Sequence, residues 1–551
     1  MSKLKFIAIS GTTGVTENCY VYEYGNDIIV VDCGVGFPEP EMYGVDLVIP
    51  DFTYIKENKH KLKGILISHG HEDHLGALPF LLRDVKSDIY ATRLVAGFIK
   101  EKFDDQKVPL PKLHVFDPEK DSLTLGVFRV TPFRVSHSVP DGVGFCIDTP
   151  EGKIFHVPDY KFDWTPVDGK PFDVAKASSL ASDGVLALAS DALGSTAAGY
   201  TESEKGIEDH INAIAEKAKS KILFTTISSN ISRVKQALNV ATRLKRKVCF
   251  IGRSIDRKSK IAESLGYLKY PHNLVINKKQ ALKLPDNQIM FIISGSYGQP
   301  GSALYRVATG EHEWLKLEEE DVVIFSADPA PPGSKTNVDF VVDKLIESGI
   351  DVHYYDIQEN LHVSGHGCQG DIKMLVSIIK PRYLIPIGGS IRHMHAYKKL
   401  IIEMGLNGQN VFELGSGEIV EFEKGFARKS KEKVNVKDVL VDGLGVGDVG
   451  NVVLRDRQVL AKDGIAIALI QIDRTNNKLL ADPEIISRGF VFEGKSAKFM
   501  NETAKKLKIF LESKQHLDKH LAKDHTIDFL EKFFYHKLER RPMILPVIVE
   551  V

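Results

Sequence analysis

The sequence predicts an α/β protein in several layers: a strand-rich first part, an inserted run of alternating strands and helices, and a small α+β module at the C-terminal end. Three observations carry this. Short apolar runs at hairpin spacing fill the first 34 residues. Strictly alternating strand and helix patterns begin near Thr201. A lysine-rich stretch after Phe422 is followed by amphipathic helices.

Taken in order, Leu4–Ile9, Tyr20–Tyr24 and Asp27–Val31 read as strands, with Gly25-Asn26 as the turn between the last two. Leu47–Asp51 is a strand edge. Gly64–Ile67 is a strand that leads into Ser68-His69-Gly70-His71-Glu72-Asp73-His74, and a helix follows from Gly76 through Leu82. Ile89–Ala91 is a strand and Arg93–Phe103 a helix. Val127–Ser136, Gly144–Thr149 and Lys153–Val157 are further strands. From Thr201 the alternation runs helix 202–218, strand 221–226, basic helix 231–244, strand 247–252, helix 258–265, strand 289–294, strand 322–326 and helix 339–348. Residues 350–424 return to short strands at 352–355, 383–387, 411–413 and 418–422. The predicted divisions are 1–200, 201–347 and 348–424, a linker over 425–440, and a module over 441–551. That module opens on Gly443-Leu444-Gly445-Val446-Gly447. It holds a strand at 465–473, helices at 495–513 and 526–540, and a last strand at 544–551.

Composition narrows the function. The net charge of -1 excludes a global polycation, so a nucleic-acid partner needs a local basic groove. Five dispersed cysteines with no CxxC pair exclude a disulfide framework and a thiolate zinc site. No secretory leader and no long apolar span can be read, so the expectation is a cytoplasmic protein without a membrane contact.

The histidine loop is the strongest chemical signal. Three imidazoles and two acids within six residues cannot all find partners in a core, and together they suit a borderline cation such as zinc. His137 and Asp159, each just after an apolar run, are the further ligand candidates, and Asp32 is a candidate to orient a ligand. Ser229-Asn230 before a helix, Arg253-Ser254 after a strand and Ser364-Gly365-His366 offer phosphate contacts. The basic residues Arg233, Lys235, Arg243, Lys245, Arg246 and Lys247 could line an RNA path or a solvated face.

With these residues in view, the sequence resembles the metallo-β-lactamase fold, an αββα sandwich, with a β-CASP insertion. Within that group it is similar to the ribonuclease J family. The likeness runs through Val31-Asp32-Cys33-Gly34, the histidine loop, Phe162-Asp163, Ser364-Gly365-His366, Val441-Asp442-Gly443 and Ser487-Arg488-Gly489-Phe490. It implies a ribonuclease with 5′-to-3′ exonuclease and endonuclease action in RNA maturation and decay, rRNA processing included. It implies attack on the phosphodiester by metal-bound hydroxide between two Zn²⁺ ions, for which Mn²⁺ or Mg²⁺ can substitute. His69, His71, His137 and Asp159 would bind one ion, and Asp73, His74 and bridging Asp159 the other. Asp73, Asp191 and His366 would be catalytic, with His366 donating a proton. The implied partners are RNA with a 5′-monophosphate and a second copy of the chain, as homodimer or homotetramer through the C-terminal module. A ribonuclease J paralogue is a further implied partner.

One departure stands out. Where the family carries a histidine after a strand, this chain reads Pro386-Ile387-Gly388-Gly389. Gly388 removes an imidazole from the second ion, with His393 or His395 as distant substitutes. The alternative expectation is therefore a weakened, RNA-binding subunit that supports an active paralogue. A hydrolase of small esters is disfavoured, because it has no need of the long insertion.

Overall fold

The computed structural model describes residues 2–327, 334–355, 359–443, 445–490, 493–514 and 516–551. Leu444, within the predicted opening of the last module, lies outside the described residues. The described chain divides into two compact units, 1–37 with 47–439 and 38–46 with 440–551.

In the larger unit two sheets face each other. The first has eight strands in the order Phe426–Lys433, Glu418–Glu423, Leu4–Ser10, Cys19–Tyr24, Asp27–Val31, Leu62–Leu66, Ile89–Ala91 and Leu113–Val115. The second has six, in the order Pro381–Ile387, Val185–Asp191, Gly152–Val157, Val143–Thr149, Phe128–Arg134 and Leu123–Leu125. Alternate residues of each strand point inward. Phe6, Tyr22, Ile29 and Val31 of the first sheet meet Val130, Phe145, Ile154 and Ile385 of the second in one buried core. The outer face of the second sheet is covered through Phe155, Leu188, Leu375, Val376 and Tyr397, so helices Gln369–Ile379 and Ile391–Glu403 form a layer on it. Helix Arg93–Gln106 buries Leu94, Val95, Phe98 and Ile99 and packs beside Ile89–Ala91 on the first sheet. This is the expected αββα sandwich.

The insertion forms a five-stranded parallel sheet in the order Lys247–Ile251, Ile289–Ile293, Ile222–Thr225, Val322–Phe325 and Asp351–His353. Its strands read as continuous apolar runs because both faces are buried. In the smaller unit Ile465–Ile472 runs parallel to Met543–Glu550 and antiparallel to Glu484–Arg488. Burial alternates residue by residue along the central strand, and Ala466, Ala468, Ile470 and Ile472 face a core shared with Leu507, Leu511, Leu530 and Phe534 of helices Glu493–Glu512 and Lys519–Leu538.

Several local expectations are corrected. The segment 425–440 is not a plain linker: Phe426–Lys433 pairs with Glu418–Glu423 at the sheet edge. Its lysines misled because an edge strand with one solvated face carries charge freely. The predicted helix 202–218 is a 3₁₀ turn, Glu204–Gly206, and then Ile207–Ala215. Val411 makes only an isolated bridge to Leu384. The strand Val185–Asp191 and helices Gln369–Ile379, Ile391–Glu403 and Asn451–Asp463 were not anticipated. Val185–Asp191 is short and wholly buried, with none of the alternation that marks a half-exposed strand. No helix among the described residues is long and apolar enough to cross a membrane.

Phe145 is fully buried between the two sheets, beside Phe116. Phe145→Ala is expected to destabilise the larger unit by about 3–5 kcal/mol. The measurement is the denaturant midpoint of that unit's transition, and an unshifted midpoint would contradict the assignment of this core.

Candidate metal centre

One edge of the sandwich collects strand ends. Asp32 follows Asp27–Val31, His69 follows Leu62–Leu66, and His137 follows Phe128–Arg134. Asp159 follows Gly152–Val157, Asp191 ends Val185–Asp191, and Gly388 follows Pro381–Ile387. Rigid strands thus bring together residues far apart in the chain on loops where backbone geometry is free.

Three groups of ligand atoms converge there. Donor atoms of His69, His71, His137 and Asp159 lie within 4.8 Å of one another, as do those of Asp73, His74 and Asp159, and those of Asp159, Asp191 and His366. In the first group His71 Nδ1 is 3.1 Å from His69 Nε2 and 3.0 Å from His137 Nε2. Asp159 Oδ2 is 3.5 Å from both His69 Nε2 and His137 Nε2.

Hydrogen bonds on the far side of each ring fix what faces inward. His137 Nδ1 is 2.8 Å from the Gly365 carbonyl, which can only accept, so Nε2 of a neutral ring carries a lone pair. Ser68 Oγ donates to Asp32 and lies 3.0 Å from His69 Nδ1, which gives His69 the same polarity. Ser138 Oγ meets His71 Nε2 at 3.2 Å. Burial, reinforced by the neighbouring imidazoles, pushes His71 well below its usual range; burial also lowers His137 against the pull of Asp159. Lone pairs that face one another at hydrogen-bond distance call for a cation between them. On this ground the donor set fits a divalent metal with nitrogen and carboxylate ligands.

The second group is less complete. Asp32 is fully buried, accepts the Ser68 N–H at 2.8 Å and lies 2.8 Å from His74 Nδ1 on the outer side of that ring. His74 Nε2 faces Asp73 Oδ2 at 3.5 Å and Asp159 Oδ1 at 3.4 Å. Burial disfavours the charged ring, but Asp159, Asp73 and Asp32 outweigh it and raise His74 well above its usual value. Burial and Asp159 push Asp73 up, while His74, His366 and His69 overcome burial and hold Asp159 well below the carboxylate range. Gly388 adjoins this group: a Cβ built on it would lie 3.4 Å from Asp191 Oδ1 and 3.9 Å from Asp159 Oδ1. His393 is engaged by Ser390, at 3.2 Å from its N–H and 3.1 Å from its hydroxyl, and His395 points to Glu413 at 3.4 Å. Neither joins the group.

In the third group His366 Nδ1 is 2.7 Å from Asp191 Oδ2, and its Nε2 is 3.9 Å from Asp159 Oδ2. Burial opposes the charge on His366, yet Asp191 and then Asp159 raise it to about 9. Gly365 is required by close approach, since a Cβ there would lie 2.5 Å from the His137 ring.

The phosphate candidates divide. Ser364 Oγ accepts the His366 N–H at 3.0 Å, beside the third group. Arg253 and Ser254 are exposed on the rim of a groove of about 690 Å³ that Glu72 and Lys258 also line. Ser229 and Asn230 are buried, and the Asn230 oxygen accepts the Arg233 N–H at 2.9 Å, so that side chain caps a helix. The basic-path expectation fails at Arg233 and Arg246, both buried on backbone carbonyls.

Other residues of the site were not anticipated. Asn18 Nδ2 is 3.0 Å from His74 Nε2 and 3.2 Å from the Asp73 carbonyl. Glu72, amid the histidines, accepts from Lys102 at 2.6 Å and from Lys258 at 3.0 Å. Lys258 comes from the insertion and sits 4.9 Å over the Phe98 ring. Nothing in spacing signals these partners.

Fold and donor set together define a metallo-hydrolase of the β-lactamase superfamily, and comparison with known proteins agrees. The family model for the beta-lactamase superfamily domain matches residues 28–177, and that for the Zn-dependent metallo-hydrolase RNA specificity domain matches 349–412. Those for the ribonuclease J beta-CASP domain and the ribonuclease J C-terminal domain match 219–345 and 452–551. Ribonuclease J2 of Bacillus subtilis is 35% identical over 555 residues, covering 100% of this chain and 99% of its own. Ribonuclease J 1 of Streptococcus pyogenes is 35% identical over 546 residues, covering 98% and 97%. The chain belongs to the ribonuclease J family. A solved structure of a protein of unknown function from Enterococcus faecalis shares the fold, with TM-score 0.54 and 14% identity over 76% of this chain and 100% of that one.

Asp32→Ala is expected to lower metal affinity at the Asp73–His74 group about 10- to 100-fold by freeing the His74 ring. Metal titration by calorimetry checks it, and an unchanged isotherm would show that His74 needs no such support.

Proposed function

We propose that this chain is a metal-dependent ribonuclease that degrades RNA 5′ to 3′ from a monophosphorylated end and also cuts internally, with one tight and one weak zinc site. The observation that carries this is the inward-facing donor set of His69, His71, His137 and Asp159 beside the His366–Asp191 pair. His69, His71, His137 and Asp159 would hold the tight ion, and Asp73, His74 and Asp159 the weak one, where Mn²⁺ or Mg²⁺ can replace Zn²⁺. Bound there, divalent cations lower the pKa of an attacking water and neutralise charge on the phosphate.

The protein groups have separate tasks. Asp73 orients the attacking water. His366, whose charged form the Asp191 carboxylate favours at Nδ1, donates its Nε2 proton to the departing oxygen. Ser364 and Gly365 lie against the phosphate, while the exposed Arg253 and Ser254 contact the 5′ end; Ser229 and Asn230, buried at the helix cap, take no part. The C-terminal unit joins copies into a dimer or tetramer, and Leu545 and Val547, 48% and 39% exposed on its last strand, supply apolar surface for that.

A second reading is favoured by one observation. The second group has no side chain at Gly388, where a histidine would reach Asp159. On this reading the chain is a weakened RNA-binding subunit of an active ribonuclease J paralogue.

The two readings separate on purified protein. Bound zinc and manganese are counted, and 5′-monophosphorylated and 5′-triphosphorylated RNA are compared. The first reading expects turnover that favours the monophosphate and is abolished in His71→Ala; no turnover at saturating Mn²⁺ would overturn it. Gly388→His is expected to raise metal occupancy and activity at limiting metal. The backbone there has φ +67°, a region histidine enters more readily than most residues. An unchanged metal titration would refute the weak-site account.

A further inference from the structure

The segment that carries Ser364, Gly365 and His366 has no ladder of its own beyond the 3₁₀ turn Glu359–Leu361. Its carbonyls are taken instead by side chains from elsewhere. Leu361 O accepts from Arg233 Nη1 at 2.9 Å and from Ser326 Oγ at 2.6 Å. Ser364 O accepts from Lys161 Nζ at 3.1 Å, and His366 O from Thr201 Oγ1 at 2.7 Å. His137 meets the Gly365 carbonyl, as described above.

Two of these donors are buried cations. Arg233 is 0% and Lys161 1% exposed. The Glu204 carboxylate, 3% exposed, lies between them, with Oε1 3.7 Å from Lys161 Nζ and Oε2 3.6 Å from Arg233 Nη2. Glu204 is itself anchored through its backbone: its N–H donates to Asp163, and its carbonyl accepts from Gln236 at 2.7 Å. Arg233 belongs to the insertion, in helix Ile231–Arg243, and Lys161 to the sandwich. Burying two cations and a carboxylate is a poor source of stability, because desolvation consumes most of the attraction. What the arrangement does provide is a fixed position for main-chain atoms of one loop, held from the insertion and from the sandwich at once.

We propose that Arg233 and Lys161, joined through Glu204, are positioning residues that set where His366 stands for proton donation. The inference rests on the role given to His366 above. It makes the placement of the insertion a condition for the reaction: a shift of helix Ile231–Arg243 moves Leu361 and, through it, His366.

The test uses the full chain. Arg233→Lys keeps the charge and shortens the reach; Ser326→Ala is a milder change that removes one donor to Leu361. Backbone hydrogen exchange over 359–370, zinc affinity and single-turnover cleavage are measured in both, alone and with His366→Ala. In both variants exchange should accelerate in this segment alone and zinc affinity should hold. Cleavage should fall about 10- to 100-fold, with no further loss in the His366→Ala background. Unchanged exchange of the segment, or losses that multiply with His366→Ala, would overturn the proposal. If the unmodified chain does not cleave RNA, the reading of His366 fails, and the exchange data alone still decide whether these cations hold the loop.

Discussion

The Asp159 carboxylate is the constraint on which the site depends. It takes part in all three groups of converging ligand atoms. One oxygen faces His69 and His137, and the other faces His74. A carboxylate this buried is strongly disfavoured as an ion unless it is paired. His74, His366 and His69 supply that pairing in the free protein, and a cation would supply it more fully. The same atom set is therefore costly without a metal and well matched to one, which is how strained polar clusters mark function.

The fold keeps Asp159 in place by making strand ends do the positioning. Gly152–Val157 lies inside the second sheet, paired on both sides by Val143–Thr149 and Val185–Asp191. The backbone that delivers Asp159 cannot move without breaking two ladders. Val185–Asp191 delivers Asp191 by the same means, and the first sheet delivers Asp32 and the histidine loop. Where no strand reaches, side chains substitute. The loop 361–366 is held by its carbonyls, and Glu72 ties the histidine loop to Lys258 of the insertion.

This division explains what could be read from the chain. The histidine loop was legible because its density has no explanation in packing. A layered α/β domain and the parallel sheet were legible from period and alternation, and the sandwich itself only from the family resemblance. His137 and Asp159 are isolated residues whose place after apolar runs made them ligand candidates, whereas the family resemblance alone gave Asp191 and His366 a catalytic role before the structure brought them together. Asn18, Lys161, Glu204, Arg233 and Lys258 were illegible as partners. Ion pairs between residues that lie on different elements leave no local trace, and Arg233 and Arg246 read as solvent-facing basic residues until their carbonyl partners are seen. In helix Gln369–Ile379 the apolar residues Met374-Leu375-Val376 and Ile378-Ile379 fall in consecutive runs that read as strand as readily as helix.

The two ligand groups differ in how their shortfall can be met. In the first, three rings from two loops enclose a point on several sides, and each ring has its outer nitrogen met by a fixed oxygen. The inward lone pairs of His69 and His137 are already in place for a cation, so little movement is needed to admit one. In the second, His74 is held by Asp32 on its outer side, but its inner nitrogen faces two carboxylates and the Asn18 amide across a gap that opens toward Gly388. Carboxylates at 3.4–3.5 Å from that nitrogen provide charge, and solvent must provide the missing donors. An ion held largely by charge and water is bound by a shallower well than one caged by imidazoles, and it exchanges with other hard cations more readily. With no side chain at 388, the second group offers one imidazole and two carboxylates, where the first offers three imidazoles and one carboxylate.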